Sequence, residues 1–320
     1  MATLEQIKAP VRQELKAFQQ VWDAALTTAN PTLQHITDHL RQSTGKQMRP
    51  TLTLLSACLA GGATDATLHA AASLELLHVA SLIHDDMVDE SPMRRGQPSV
   101  ASAFSNKAAV LSGDFLLATA LKEAAHTQSI ACVDAVATLG RDLSTGELMQ
   151  MESAGHPSFD ESTYLDIITH KTAVLFATCA ELGAMTGRQT QPSTTALLRR
   201  LGLQIGILFQ MQDDCFDFLP ENETGKPSGQ DLREHKATLP LIYAYHNADK
   251  AGQERIRRAL DGGEVEWLQQ QVQEQGGLAY TRQRIGALVE STLTQIGQLP
   301  LSDYRTALES YIRFAGQRQK

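Results

Sequence analysis

The sequence predicts an all-α fold, a single domain of many long helices covering residues 1–320. Apolar residues recur at steps of three and four through nearly the whole chain, which is the spacing of helices. The alternation of apolar and polar residues that marks β-strands is missing, and aromatic residues make up 5% of the sequence. Neither GxGxxG nor GxxxxGKS/T occurs, which disfavours the usual nucleotide-binding α/β folds.

The first predicted helix is amphipathic, because apolar residues recur at helical spacing between Leu4 and Phe18. A second follows Pro31, a residue that suits the first turn of a helix. The pattern then predicts five long helices, at about 66–90, 107–125, 129–153, 161–186 and 194–219. The tail, about 237–318, is predicted to form several shorter helices.

Composition narrows the class of protein. The 28 Lys and Arg residues against 36 Asp and Glu give a net charge of −8, which provides no overall footprint for nucleic acid. The N-terminus carries charges where a signal peptide needs an apolar run, and no stretch of about 18 residues is free of charge, so we expect a cytoplasmic protein without a membrane span. The four cysteines lie far apart in apolar runs, which favours reduced core residues.

One long polar stretch interrupts the helices between Pro220 and Pro240. Loops of this length are uncommon in compact domains unless they are functional or disordered. Its lysines, Lys226 and Lys236, favour a lid that covers phosphate groups over a plain linker.

The segment LIHDDMVDESPMRRGQPS, residues 82–99, carries the first acidic cluster. Asp85 and Asp89 are spaced i,i+4, and Asp86 and Asp89 i,i+3, so on a helix these carboxylates share a face and repel each other. They terminate an apolar helix whose preceding residues are expected to be buried. A divalent metal ion explains such a group better than a solvated helix end does.

The same pattern returns in FQMQDDCFDF as Asp213, Asp214 and Asp217, again at the end of an apolar helix. With 18 aspartates in 320 residues, one chance DDxxD has an expectation of roughly 0.06, and two have roughly 0.002. Mg²⁺ prefers oxygen ligands and is usually held by one or two carboxylates together with substrate phosphates. The two clusters therefore indicate a diphosphate bound through Mg²⁺.

Cations flank the acidic clusters. Lys46 and Arg49 occur in TGKQMRP, and Arg94 and Arg95 follow the first cluster directly. Arg pairs with phosphate oxygens through two bonds and Lys acts as a point charge, so this set favours a second polyanion bound without its own metal. His78 lies two helical turns before Asp85, although a lone helical His is more often a core residue.

The sequence resembles the trans-isoprenyl diphosphate synthases, the polyprenyl synthetase family, over nearly its whole length. The matching stretches are GKQMRP, ELLHVASLIHDDMVDESPMRRGQPS, GDFLLATA, TGELMQ, KTAVLF, FQMQDDCFDF and GKPSGQDLREHKATLPLIYA. The resemblance implies an all-α, isoprenoid synthase-like fold around a deep central cavity, with the acidic motifs on facing helices. It also implies a homodimer and a medium- or long-chain member, from geranylgeranyl to heptaprenyl diphosphate synthase-like.

The resemblance also assigns roles to individual residues. The ligands of about three Mg²⁺ ions would be Asp85, Asp86, Asp89, Asp213, Asp214 and Asp217. Asp85, Asp86, Lys171 and Asp213 would be catalytic. The allylic diphosphate would contact Arg94, Lys171, Thr172, Gln210, Lys226 and Lys236. Isopentenyl diphosphate would contact Lys46, Arg49, His78 and Arg95. One position departs from the family, which usually carries Gly where this chain has His235.

The implied reaction is ionisation, condensation and elimination. The allylic diphosphate leaves, the double bond of isopentenyl diphosphate attacks the resulting cation, and a proton is lost. In the family the departing diphosphate is thought to accept that proton, so no side-chain base is assigned.

Several other functions stay open. A class I terpene cyclase also ionises allylic diphosphates, but it needs no second diphosphate site. An HD-type phosphohydrolase would use the dipeptide His84-Asp85, which leaves the second acidic cluster unexplained. A non-catalytic subunit of a two-component prenyl synthase would be expected to lack acids from its clusters, whereas this chain could be the catalytic member of such a pair.

Product length is predicted from residues preceding Asp85 on its own helix. Ala80 and Ser81 are small, and Leu77 lies one turn deeper. Short-chain members commonly block this level with an aromatic residue or carry two extra residues in the motif, and neither occurs here. Each open turn, about 5.4 Å of helix, admits about one isoprene unit. We expect products of twenty carbons or more, and rather thirty or longer, unless Phe115 on the facing helix closes the tunnel.

Overall fold

Helices form nearly all of the computed structural model, which describes residues 3–42, 45–219 and 228–318. The N-terminal helices are α1 (Leu4–Lys8), α2 (Arg12–Ala25), α3 (Pro31–Gln42) and α4 (Met48–Leu59). The long central helices are α5 (Asp65–Val88), α7 (Asn106–His126), α8 (Ile130–Gly155), α10 (Val174–Met185) and α11 (Pro192–Phe216), with α6 (Val100–Ala103) and α9 (Glu161–Ile168) between them. The C-terminal helices are α12 (Gln230–Arg233), α13 (Leu239–Asn247), α14 (Lys250–Asp261), α15 (Val265–Glu274), α16 (Gly277–Ile296) and α17 (Asp303–Gln317). The predicted all-α fold is confirmed.

Local sequence explains where several helices begin and break. Thr64 caps α5 through reciprocal bonds with Thr67, and Pro31 and Pro192 open α3 and α11. The predicted first helix is broken, because Pro10 lies in a 3₁₀ turn between α1 and α2. The predicted helix 161–186 is interrupted by a π-helical segment at Thr169–Ala173.

Two further departures concern short elements. A two-stranded hairpin of β1 (Met93–Arg94) and β2 (Gln97–Pro98) follows the first acidic cluster, where no strand was predicted. The predicted loop at about 220–240 is shorter than expected, because α12 and the start of α13 lie within its range. Residues 220–227 lie outside the described residues.

The main hydrophobic core lies around α5, which packs antiparallel to α7 and is buried along most of its length. A second, smaller cluster lies beneath α12 and includes Phe159, Phe218, Leu232, Leu241 and Leu268. All four cysteines are buried free thiols, as predicted. By length and composition α5 alone among the described helices could cross a membrane, but most of it is buried, as in a core helix of a soluble protein.

Candidate active site

The first acidic cluster lies at the C-terminal end of α5, where the helix ends at Val88 and Asp89 caps it. The Asp89 N–H donates to the Asp85 carbonyl at 2.8 Å. Burial and the neighbouring carboxylates of Glu147 and Asp89 raise the pKa of Asp85 to about 6, against an opposing effect of Lys171. Partial desolvation also raises the pKa of Asp89. The two carboxylates are therefore crowded acids whose charged form a cation would stabilise.

Asp86 lies on another side of the same helix. Its buried carboxylate accepts from Arg94 Nε at 2.7 Å and also from Nη2 of the same guanidinium. The pair borders a cavity that Glu75 and Arg95 also line. Successive residues of a helix project about 100° apart, so Asp85 and Asp86 cannot face the same way. A metal-binding role for Asp86 stays a prediction, and the structure gives it an arginine partner instead.

The second acidic cluster closes α11, and its middle member is enclosed by protein. Tyr164 Oη donates to Asp214 Oδ2 at 2.5 Å, and Gln210 Nε2 donates to Oδ1 at 2.8 Å. Thr172 Oγ1 in turn donates to Gln210 Oε1 at 2.9 Å. Burial raises the pKa of Asp214 to about 7, although the two hydrogen bonds oppose the shift. Both carboxylate oxygens of Asp214 thus have partners within the protein.

The outer members of the second cluster have different surroundings. Asp213 Oδ2 pairs with Arg318 Nη2 at 2.8 Å, and the buried Arg318 guanidinium lies 3.7 Å from the Phe209 ring centroid. Asp217 Oδ1 accepts from the Gln230 N–H at 2.6 Å. Asp217 Oδ2 is buried and has no hydrogen-bond partner among the described residues. Burial raises the pKa of Asp217, although the backbone N–H groups of Gln230, Asp231 and Leu232 lower it.

The π-helical segment places two of the predicted allylic-site residues, Lys171 and Thr172. A π segment adds a residue to one turn of a helix and often marks a functional site. Helix α8 approaches it closely, since a Cβ at Gly146 would lie 2.4 Å from the Lys171 backbone nitrogen. The next residue, Glu147, pairs with Lys171 Nζ at 2.6 Å. Glycine at 146 is therefore what allows this ion pair to form at the helix contact.

Lys236 follows α12 and lies among acids. It pairs with Glu234, and although burial lowers the pKa of Lys236, Asp231 and Glu234 raise it more. Burial raises the pKa of Asp231 well above its usual range. His235 has a left-handed backbone with φ of 57°, and its Nδ1 lies 2.7 Å from the Leu260 carbonyl. The position where the family usually has Gly thus keeps a glycine-like conformation, at a cost of roughly 1–2 kcal/mol for a residue with a Cβ.

A cavity beside these groups is lined by Asp214 of the second acidic cluster and by no aspartate of the first. Asp89 interacts electrostatically with Lys171 and Lys236, and Asp231 interacts with Asp214 and Asp217. The residues with predicted or newly found polar roles along its wall are Lys171, Thr172, Gln210, Asp214, Asp231 and Lys236. The structure therefore brings the two acidic clusters and the predicted allylic-site cations to the same place.

A second set of cations lies on the other side of the first cluster. Arg95 and Glu75 line the cavity next to Asp86, and the charges of Arg49 and Arg95 both act on Glu75. Burial raises the pKa of Glu75, and its Oε2 has no hydrogen-bond partner within the described ranges. His78 is buried beside the same arginines, and burial with their charges holds its pKa well below the usual range. The structure thus groups three of the four residues predicted for isopentenyl diphosphate.

The remaining predicted cations are Lys46 and Lys226. Lys46 precedes α4, and its Nζ lies 6.0 Å from the centroid of the Phe314 ring on α17. Lys226 lies outside the described residues, so its predicted contact with the allylic diphosphate stays a prediction.

The residues predicted to set product length differ in their surroundings. Ala80 is fully buried. On the same side of α5, Ser73 lies seven residues before Ala80 and His84 lies four residues after it, and both contact α7. Ser73 Oγ donates to an α7 carbonyl at 2.7 Å, and His84 fills the space beside the α7 glycine. Ser81 is partly exposed, and Leu77 is buried. Of the three, Ser81 is the residue with open space beside it.

Sequence reasoning did not single out five residues of the site. These are Glu75, Glu147, Tyr164, Asp231 and Arg318. Asp231 lies five residues before the predicted phosphate-binding Lys236 in GKPSGQDLREHKATLPLIYA, which was a usable signal, whereas Glu147 lies in TGELMQ, a stretch without lysine, 24 residues before Lys171. Tyr164 and Arg318 reach the second cluster from distant parts of the chain and carried no such signal.

The donor set fits a divalent cation that prefers oxygen ligands. Asp85 and Asp89 face each other at i,i+4 with raised pKa values, and Asp217 contributes a buried carboxylate oxygen without a hydrogen-bond partner in the part of the chain that the structure describes. Asp213, four residues before Asp217, is partly exposed. Crowded carboxylates of this kind are held together most simply by a shared positive charge.

Several known proteins have similar sequences, and the profile of one family matches most of the chain. The profile of the polyprenyl synthetase family matches residues 30–274. The all-trans-nonaprenyl-diphosphate synthase (geranyl-diphosphate specific) of Rhodobacter capsulatus is 36% identical over 318 residues, covering 97% of each chain. The octaprenyl diphosphate synthase of Escherichia coli is 34% identical, covering 86% of this chain and 87% of its own. Component 2 of the heptaprenyl diphosphate synthase of Geobacillus stearothermophilus is 29% identical, covering 95% and 96%.

Solved structures share the fold. A polyprenyl synthase from Caulobacter crescentus complexed with calcium and isoprenyl diphosphate has a TM-score of 0.92 and 29% identity, covering 99% of this chain and 98% of its own. The geranylgeranyl pyrophosphate synthase of Bacteroides thetaiotaomicron has a TM-score of 0.84 and 38% identity, covering 98% of both chains.

Proposed function

The chain belongs to the polyprenyl synthetase family and is a prenyltransferase, and we propose that it elongates an allylic prenyl diphosphate with isopentenyl diphosphate in a Mg²⁺-dependent reaction. The observation that carries this proposal is the arrangement of charge. Lys171 and Lys236 act electrostatically on Asp89 of the first acidic cluster and line a cavity with Asp214 of the second, and a separate basic group with Arg49 and Arg95 lies on the far side of Asp86. Two diphosphates are accommodated by this arrangement. A terpene cyclase would use only the first.

The allylic site is held ready by ion pairs. Lys171 and Lys236 are paired with Glu147 and Glu234, and Arg94 is paired with Asp86. A bound diphosphate would compete for these cations through stronger charge-assisted bonds. As the allylic C–O bond breaks, negative charge accumulates on the leaving diphosphate, and the same cations stabilise it there.

A divalent metal would be held by Asp85, Asp89, Asp213 and Asp217, and when bound it would neutralise the departing diphosphate. The related structure that carries calcium and isoprenyl diphosphate supports a divalent ion in this site. Mg²⁺, at about three ions per site, is our proposal for its identity and number.

The second diphosphate would occupy the arginine-lined cavity. Arg49 and Arg95 would bind isopentenyl diphosphate, and the neutral, buried His78 would serve as a hydrogen-bonding neighbour, since its low pKa keeps it uncharged. Arg94, whose partner Asp86 borders this cavity, lies between the two substrates. The double bond would then attack the allylic cation, a C–C bond forms, and a proton leaves to the departing diphosphate.

We propose products of eight or nine isoprene units, the lengths in the names of the relatives from Rhodobacter capsulatus and Escherichia coli, which are 36% and 34% identical to this chain. This agrees with the expectation of thirty carbons or longer from the small residues before Asp85. The site residues that would set this length, Leu77, Ala80 and Ser81, stay predictions.

We also propose that the enzyme is a cytoplasmic homodimer of single-domain subunits. Helices α7 and α8 expose large apolar side chains at Val110, Leu111, Leu121, Ile130 and Leu148. Exposed apolar residues concentrated on two adjacent helices favour a subunit interface. The alternative is that this chain is the catalytic subunit of a two-component synthase, which the resemblance to a named component keeps open. Light scattering of the purified chain separates a dimer from a monomer.

The test is incubation of the purified chain alone with Mg²⁺, farnesyl diphosphate and isopentenyl diphosphate, followed by sizing of the products. Elongated products support the proposal. No product from the chain alone, with product restored by a second protein, would favour the two-component alternative. Cyclic hydrocarbon products would overturn it.

Michaelis constants measured for each of the two substrates test the assignment of the two diphosphate sites. Arg49→Ala should chiefly raise the constant for isopentenyl diphosphate, and Lys171→Ala the constant for the allylic substrate. Each variant loses a charge-assisted phosphate contact of about 1.5–3 kcal/mol, or roughly 10- to 150-fold. The exposed Arg200→Ala on α11 is the matched control and should change neither. Equal effects of both variants on both substrates would contradict the assignment of sites.

A further inference from the structure

A cluster of two histidines and a glutamate lies far from the active site, at the opposite end of α5. His69 on α5 and Glu123 and His126 on α7 each place one possible ligand atom within 4.8 Å of those of the other two. His69 is 16 residues before Asp85, about 24 Å along the helix. The proposed prenyl transfer uses none of these three residues.

The two imidazoles converge on one carboxylate. His69 Nδ1 lies 2.6 Å from Glu123 Oε2, and His126 Nδ1 lies 3.5 Å from the same oxygen. The ring centroids are 5.0 Å apart. Glu123 is buried, with 6% of its surface exposed, whereas His126 is about half exposed. His126 lies one turn after Glu123 on α7, so both histidines present a ring nitrogen to the same carboxylate oxygen.

The other side of His69 carries a second carboxylate. Its Nε2 lies 3.7 Å from Asp65 Oδ2, one turn earlier on α5. Histidines that bind metals through one ring nitrogen commonly direct the other towards a carboxylate, which fixes the tautomer and orientation of the ring. His69 has this arrangement, with Nδ1 towards the cluster and Nε2 towards Asp65.

We propose that His69, Glu123 and His126 form a site for Zn²⁺ or a similar borderline transition metal. Imidazole nitrogen with one carboxylate suits such ions, whereas Mg²⁺ prefers oxygen ligands throughout. Four-coordinate zinc with bonds of about 2.0–2.1 Å sets its ligand atoms roughly 3.3 Å apart. The contact between His126 and Glu123 already has nearly this length, and the one between His69 and Glu123 would open by about 0.7 Å.

The fourth coordination position faces a groove. All three residues line a cavity of about 640 Å³ between α2, α5 and α7, whose other walls include Gln20, Thr27 and Lys122. A water molecule would complete the coordination, as in zinc sites with three protein ligands. Because His69 belongs to the first turns of α5 and the other two residues to the last turns of α7, the metal would join the ends of these antiparallel helices.

The test uses the full chain in excess Mg²⁺, which occupies the aspartate clusters, with Zn²⁺ added in a calorimetric titration. We expect one site per chain, weakened at least 10-fold in His69→Ala and in His126→Ala. His35→Ala, an exposed histidine on α3, and Asp85→Asn should leave that site unchanged. Glu123→Gln keeps the size of the buried side chain and should also weaken binding, which guards against misfolding of the alanine variants.

A spectroscopic measurement identifies the ligands. Co²⁺ bound in place of Zn²⁺ should give the intense visible bands of four-coordinate cobalt with nitrogen ligands, and these bands should vanish in His69→Ala. Weak bands of six-coordinate cobalt, or Zn²⁺ binding that is lost in Asp85→Asn and kept in His69→Ala, would place the metal at the active site and overturn the proposal. Absence of any zinc binding in excess Mg²⁺ would overturn it as well. None of these outcomes depends on prenyl transfer.

Discussion

Replacing Asp85 with Asn should stabilise the metal-free protein while it removes turnover. In the folded chain, burial and the Glu147 and Asp89 carboxylates raise the pKa of Asp85 to about 6. An unfolded chain returns it to about 3.9. The folded state therefore binds this proton more tightly, and the charged form that dominates above pH 6 opposes folding.

The sign and size follow from that difference. Stability should fall as pH rises from about 4 to about 6 and then stay level, since the folded state is the more protonated in this window. Two units of pKa correspond to about 3 kcal/mol, and solvent screening of the partly accessible carboxylate reduces the effect to about 1–3 kcal/mol. Asn at this position removes the penalty, so the variant should be more stable by that amount at pH 7.5.

The measurement is urea unfolding in the presence of EDTA at pH 7.5 and at pH 4.5. The stabilisation of Asp85→Asn should be full at the higher pH and largely absent at the lower one. Asp134→Asn, an exposed aspartate on α8, is the control and should stay within about 0.5 kcal/mol of the parent at both values. A variant less stable than the parent at pH 7.5, or equally stabilised at both pH values, would refute the reasoning.

Other residues give three further predictions. Asp213→Asn should reduce turnover by roughly 10²–10³-fold or more. Asp214→Asn should reduce turnover by about 10–100-fold, because Asp214 positions its neighbours. Equal losses in steady-state kinetics would contradict this division. In urea unfolding, the stability of His235→Gly should be close to that of the parent. His235→Ala keeps the left-handed backbone and loses the bond to the Leu260 carbonyl, so it should be about 1 kcal/mol less stable than the glycine variant. An alanine variant as stable as the glycine variant would exclude backbone strain. Ser81→Phe should shorten the products seen by mass spectrometry, whereas Ala80→Phe should chiefly destabilise the α5–α7 contact by about 1–3 kcal/mol; shorter products from Ala80→Phe alone would put the tunnel on the other side of α5.

The sequence predicted the long helices well because each one carries an uninterrupted apolar pattern. It missed the π segment at Thr169–Ala173, whose extra residue leaves no mark on a pattern of period 3.6. It also missed the hairpin that carries Arg94, since two residues per strand are too few to show alternation. Both elements carry predicted site residues. The sequence therefore predicted which residues form the site better than it predicted where those residues lie in the fold.

The composition of the site could be predicted where its residues are neighbours in sequence, and not where they meet only in the fold. The two acidic clusters were visible as motifs, and the structure connects them through Lys236, whose charge acts on Asp89 and on Asp231, which in turn interacts with Asp214. The partners that decide the role of each acid come from elsewhere. Tyr164 lies 50 residues before Asp214, and Arg318 lies near the end of the chain. No local pattern reports such contacts.

The geometry of a helix gives the two acidic clusters a common division of roles. The first and third aspartates of DDxxD are i,i+4 neighbours on one face, while the middle one is turned about 100° away from the first. In this chain Asp86 is directed to Arg94 and the arginine-lined cavity, and Asp214 to Tyr164 and Gln210. We therefore propose that each motif provides a pair of acids for a cation and a third acid that holds neighbouring groups in place. In the first motif that third acid contacts Arg94 between the two proposed diphosphate sites, so substitution of Asp86 should affect both substrates, whereas substitution of Asp214 should affect only the allylic one.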